Sequence, residues 1–112
     1  MKAWSPDDLE SLRLGAGRAY LEFLREPSMS VGLYTLPAGG TDGQSPHTED
    51  EIYIVMAGRA SFTAGNETRD AGPGDVIFVP AHVPHRFHDI SQELRILVVF
   101  APPEGTTTAS TG

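Results

Sequence analysis

The 112-residue chain has no cysteine, so neither a disulfide nor a thiolate metal site can form, and any metal must rest on nitrogen and oxygen donors. Lysine is nearly missing as well. Lys2 stands alone beside singly scattered arginines (Arg13, Arg18, Arg25, Arg59, Arg69, Arg86, Arg95), and the formal net charge is −7. Binding to nucleic acid or to an anionic membrane draws on a clustered cationic surface. Neither is therefore an expected partner. No stretch approaches the roughly 18–20 apolar residues of a membrane span, and the opening MKAWSPDDLE has no continuous apolar region of the secretory type. The expectation is a soluble, cytoplasmic protein of one domain, with no internal repeat.

What is present is punctuation. Ser5 offers an N-cap, Pro6 suits the first helical position, and Asp7 and Asp8 favour the positive end of a helix dipole, which predicts a short helix over 5–13 with Leu9 and Leu12 turned inward. The pattern then changes from helical period to alternation. Two strands are read around Tyr20–Arg25 and Val31–Leu36, broken by Glu26, Pro27 and Ser28. Five more short strands follow over 51–56, 59–63, 75–79, 85–89 and 94–100, with glycine or proline between all but the last two, which Ile90–Glu93 separates. Short strands at close, regular spacing predict an antiparallel sandwich or barrel. Residues 102–112, rich in Thr, Ser, Gly and Pro, are read as a disordered tail to a domain spanning 1–101.

Two segments carry the chemistry. In extended chain, residues an even number apart face one side. His47 and Glu51 therefore share a face that Tyr53 and Val55 continue inward, while His85, Phe87 and Asp89 share another, opposite Arg86 and His88. Two imidazoles and a carboxylate suit a divalent Fe, Mn, Co, Ni or Zn ion and leave coordination positions open. The competing reading is a β protein that simply carries surface histidines.

The spacing of these segments resembles the paired motifs of the cupin superfamily, as in small single-domain bacterial cupins. In the first, Gly39 is followed by five residues, Ser45-Pro46-His47, three residues, Glu51, six residues and Gly58. In the second, Gly74 is followed by five residues, Pro80-Ala81-His82, two residues, His85, three residues and Asp89. The resemblance implies an all-β cupin or jelly-roll barrel (core about 18–101) with a short N-terminal helix, and it gives His47, Glu51 and His85 the roles of metal ligands. Three positions depart from the motifs: Ser45 stands at the first histidine, His82 at a turn glycine and Asp89 at an asparagine. The vacated ligand position falls to water, Gln44 or Ser45.

Other residues are weighed beside these. His82 is either an acid–base group at the mouth or an exposed turn residue, and Tyr53 is either a site residue or core. Glu49 and Asp50 read as rim charges, with Glu49 also a candidate oxygen donor. Asp42 is a loop carboxylate and His88 a surface or inter-subunit residue. Trp4 and the helix would cover a barrel end or a dimer partner, and a homodimer would cover an edge strand such as 19–24. The function implied by the resemblance is a metal-dependent enzyme acting on a small organic molecule, foremost a dioxygenase-like oxidoreductase. The alternatives are a non-redox isomerase, cyclase or lyase, and a non-catalytic small-molecule binder.

Overall fold

Alternation along the chain becomes an antiparallel sheet in the computed structural model, which describes residues 1–43 and 46–105. The elements are α1 (Pro6–Ala16), β1 (Tyr20–Glu26), β2 (Met29–Leu36), β3 (Asp50–Ala64), β4 (Glu67–Ala71), β5 (Val76–Val79) and β6 (His85–Ala101). The sheet runs β1-β2-β6-β3-β4, with β5 also paired to β3. The expected capping of α1 is present: the Ser5 hydroxyl accepts from the Asp8 amide at 3.1 Å, and the Asp8 carboxylate accepts from the Ser5 amide at 2.9 Å. Gly17, in the left-handed region at φ 64°, ends the helix. Leu9 is buried as expected, whereas Leu12 is not, being 38% exposed. No helix among the described residues is long and apolar enough to cross a membrane.

Where the sequence predicts separate strands over 51–56 and 59–63, and again over 85–89 and 94–100, the structure has two long ones, β3 and β6. They pair with each other along nearly their whole length, Asp50 opposite Ala101 at one end and Ala64 opposite His85 at the other. Gly58, read as a turn, lies instead inside β3 at a register irregularity. Its φ is 95°, and a Cβ there would stand 2.1 Å from the Glu93 carbonyl oxygen. The glycine thus lets two long strands bend across each other rather than stop. β4 was not anticipated, because the sequence ETRDA is exposed at four of its five positions and shows no alternation.

The bend divides the sheet into two layers. One contains β1, β2, the C-terminal half of β6, the N-terminal half of β3 and β5; the other contains the remaining halves of β3 and β6, with β4. Their inner faces meet where Tyr53 packs edge-on against Phe62 and Phe87, with ring centroids 5.5 and 5.1 Å apart. Val55, Leu94, Ile96 and Val98 complete this core, each at most 1% exposed.

The outer face of the first layer carries two apolar rows across five strands. One is Val76, Ile54, Leu97, Leu33 and Leu21; the other is Phe78, Ile52, Val99, Val31 and Leu24. At the β5 end of these rows Val76 and Phe78 are 62% and 58% exposed. The N-terminal segment reaches the barrel through Trp4, whose ring lies edge-on to Phe23 at 5.0 Å, and through Glu10, whose carboxylate meets Arg95 at 3.1 Å.

Because a side chain at position 58 meets backbone and adopts a disfavoured φ, Gly58→Ala is predicted to lower stability by at least about 1–3 kcal/mol. Urea denaturation followed by circular dichroism measures this, and an unchanged midpoint would show that the crossing tolerates a Cβ.

Candidate metal centre

The long pairing of β3 and β6 fixes where the polar residues fall. Glu51 lies near the start of β3, between Phe100 of β6 and Val79 of β5, and its side chain faces the interior. His85 opens β6 in the opposite layer. Glu51 is 1% and His85 7% exposed. His47 precedes β3 on the incoming loop, half-buried, with its ring 5.8 Å from that of His85 and edge-on to Phe100 at 4.8 Å. One donor atom from each of His47, Glu51 and His85 lies within 4.8 Å of the other two. The three residues that the motif resemblance names thus come together, His47 from a loop that bends at 48–49 and not from the extended strand on which parity was counted.

The hydrogen bonding of this group is incomplete. Nδ1 of His85 donates to the Val83 carbonyl at 2.8 Å, which holds the ring and leaves the Nε2 lone pair facing inward. That Nε2 is 2.9 Å from Oε1 of Glu51. This is an ion-pair distance, and among the described residues no hydrogen-bond partner is found for Nε2 or for either Glu51 oxygen, all of them buried. Burial pulls the His85 pKa down, but the Glu51 carboxylate and the Val83 carbonyl outweigh it, and the net shift is upward. Buried polar atoms in native proteins are normally satisfied. A nitrogen–nitrogen–oxygen donor set with orphaned inward atoms fits a divalent transition ion, whose ligands stand at about 2.0–2.2 Å.

The remaining candidates fall into distinct places. Gln44 and Ser45 lie outside the described residues. Tyr53, fully buried, forms the floor: its ring packs against that of His85 at 5.8 Å. The His82 side chain is exposed, while its backbone amide donates to the His47 carbonyl at 2.7 Å and steadies the loop that carries the ligand. Its φ of 70° explains why the family motif has glycine there. Asp89 is exposed at φ 49°, so the face shared by His85 and Phe87 ends before it and Ile90 turns inward instead. His88 points away from His85, as parity requires, and its ring nitrogens meet Thr63 at 2.7 Å and Asp89 at 2.8 Å.

Of three acidic residues near the site, one departs from its reading as a rim charge. Glu49 is not a rim charge: it is 2% exposed, takes a hydrogen bond from the Thr48 hydroxyl and accepts the Gly105 amide at 3.2 Å. Asp50 is exposed but capped, accepting the Ala81 amide at 2.9 Å. Asp42 is a staple, accepting the Tyr34 hydroxyl at 2.8 Å and the Phe87 amide at 2.9 Å, and so tying the incoming loop to β2 and β6.

The segment 102–105, assigned by composition to the tail, returns to the barrel. Pro103 is buried, and the Glu104 carboxylate stands 3.7 Å from Nδ1 of His47. Burial lifts the Glu104 carboxyl above its ordinary range; His47 opposes this, and Glu22, Glu49 and Glu51 add to it. Residues 106–112 lie outside the described residues. Beside His47 opens a cavity of about 420 Å³, walled by residues that include Tyr20, Tyr34, Leu36, Phe100 and Glu104. Gly32 makes room for the Tyr20 ring there, since a Cβ at that position would fall 2.1 Å from its hydroxyl.

Comparison with known proteins bears on the family and the fold. The family model described as a cupin domain matches residues 32–100. An uncharacterised protein of Streptomyces coelicolor is 57% identical over 104 residues, 93% of this chain and 99% of its own length. Dimethylsulfoniopropionate lyase DddQ of Ruegeria pomeroyi is 32% identical over 74 residues, 65% of this chain but only 37% of its own length. The crystal structure of DddQ superposes with a TM-score of 0.69 at 29% identity, covering 74% of this chain and 46% of that one. A cupin 2 conserved barrel domain protein of Salinispora arenicola gives a TM-score of 0.70 at 20% identity over 89% of this chain and 87% of that one, a likeness of fold.

Since His82 acts through its backbone, His82→Gly is predicted to keep divalent-metal affinity within about twofold and to leave stability equal or higher, as glycine adopts positive φ without strain. Isothermal titration with Mn²⁺ checks this. A tenfold loss of affinity would instead make the imidazole part of the site.

Proposed function

From the premise that this chain belongs to the cupin family, with the jelly-roll barrel of that family, we propose that it is a divalent-metal-dependent enzyme acting on a small organic molecule. The observation that carries the reading is the convergence of His47, Glu51 and His85, in which Nε2 of His85 and both oxygens of Glu51 are buried with no hydrogen-bond partner among the described residues. A purely structural cluster would close such atoms with hydrogen bonds.

In this reading His47, Glu51 and His85 hold the ion. When bound, the ion supplies Lewis acidity toward an oxygen of the substrate. The chain contributes the rest. Val83 sets the tautomer of His85, and His82 fixes the backbone of His47. Tyr20, Tyr34, Leu36 and Phe100 give the adjoining cavity, about 420 Å³, an apolar lining that limits water and suits a small molecule. The reaction class this suits is removal of a proton next to a carbonyl or carboxylate: loss of a leaving group from the adjoining carbon, with formation of a C=C bond, would make it an elimination, and return of the proton to another carbon an isomerisation. The similarity to a lyase supports this class; because the chain spans 37% of that enzyme's length, the substrate is not carried over. A second reading, an oxygenase, is favoured by the donor set itself, two histidines and one carboxylate, which is that of the facial-triad non-haem iron enzymes.

Protein purified without a polyhistidine tag or chelator is predicted to carry or take up about one equivalent of Fe, Mn, Co, Ni or Zn. His47→Ala, Glu51→Ala and His85→Ala are each predicted to weaken binding by more than the roughly 10–100-fold that loss of an outer-sphere partner costs, with the barrel still folded by circular dichroism. Stoichiometric metal in the His47→Ala/His85→Ala double variant would refute the ligand assignment. With the metal established, turnover of small organic acids under strict exclusion of O₂ supports the elimination chemistry. Consumption of O₂ in proportion to product supports the oxygenase instead.

A further inference from the structure

The C-terminal segment after β6 is attached to the barrel by its backbone. The Glu104 amide donates to the Ser30 hydroxyl at 3.0 Å, its carbonyl accepts from the Arg25 guanidinium at 3.1 Å, and the Gly105 amide donates to the Glu49 carboxylate at 3.2 Å. Ser30 and Glu49 are 0% and 2% exposed. Two buried polar side chains thus receive this segment, and Pro103 is buried beside them. The main chain at position 104 is set by the barrel, and with it the reach of the Glu104 carboxylate to His47 Nδ1, 3.7 Å away.

Glu104 does not join the group of donors formed by His47, Glu51 and His85. It meets one imidazole from one of its two nitrogens. At 3.7 Å the contact is an ion pair, longer than a hydrogen bond. A carboxylate on this side of the ring favours the tautomer protonated at Nδ1, which leaves the Nε2 lone pair for a metal. His85 has its own oxygen partner at Nδ1, the Val83 carbonyl, at the closer distance of 2.8 Å.

We infer that Glu104 is a positioning residue for the metal site, orienting His47 and fixing its tautomer, and that residues 102–105 are a working part of the site. This rests on the metal-binding reading above. It also assigns a role to a residue whose composition-based reading placed it in a tail.

The test is titration of the full chain with Co²⁺ alone, followed by visible absorption and by far-ultraviolet circular dichroism, for the native chain, Glu104→Ala, Glu104→Gln and His47→Ala. Glu104→Ala is expected to weaken Co²⁺ by about 10–100-fold and to change the ligand-field spectrum, with the fold unaltered. Glu104→Gln, which still presents a carbonyl oxygen to Nδ1–H, is expected to recover most of the affinity and the native spectrum. If Glu104→Ala matches the native chain in affinity and spectrum while His47→Ala loses the ion, the positioning role is wrong and the metal reading stands. Glutamine no better than alanine also overturns the role. If the native chain fails to bind, or His47→Ala binds equally well, the metal reading itself falls.

Discussion

A carboxylate and an imidazole nitrogen buried between two β layers, 2.9 Å apart and with no hydrogen-bond partner among the described residues, set the terms for this molecule. Taking a charged group out of water is costly unless a partner compensates. Nothing in local propensity compensates for that. The surrounding core holds it in place: Tyr53, Phe62 and Phe87 pack against one another beneath His85, so the site sits on a rigid aromatic floor. Removing Glu51 and His85 from water becomes useful if a cation enters between them, because low local dielectric strengthens every charge interaction there.

The long β3–β6 pairing makes that burial feasible. Each strand serves both layers, so Glu51 at one end of β3 and His85 at the start of β6 come from opposite walls yet meet at one end of the barrel. Gly58 lets β3 pass over the Glu93 carbonyl without ending. Around this frame the loops act as fasteners. Asp42 ties the incoming loop to Tyr34 and Phe87, and the turn at His82 holds His47 by its carbonyl.

Much of this was legible in the sequence. Alternation gave the inward faces of Glu51–Tyr53–Val55 and His85–Phe87, and motif spacing gave the barrel and the three candidate ligands. What was missed has physical reasons. Gly58 and the segment 90–93 look like turns because the same residues that permit turns also permit a strand to bend. Left-handed geometry at Asp89 breaks parity, which no count of even spacings can foresee. Glu49 was read as a rim charge and Glu104, by composition, as part of a tail, whereas their partners Gly105 and His47 are set by tertiary contacts. The fourth ligand position of the motif, at Gln44 and Ser45, lies outside the described residues.

If the buried donors exist to hold a metal, the folded state should be penalised without one and relieved with one. The direct measurement is thermal unfolding of the native chain, rendered metal-free, with and without Co²⁺ at about 100 times its dissociation constant. Binding to the folded state alone then contributes about 2.7 kcal/mol, and a domain of this size is predicted to rise by roughly 10–20 °C. A transition that does not move with Co²⁺, nor with Mn²⁺, Fe²⁺, Ni²⁺ or Zn²⁺, would contradict the account.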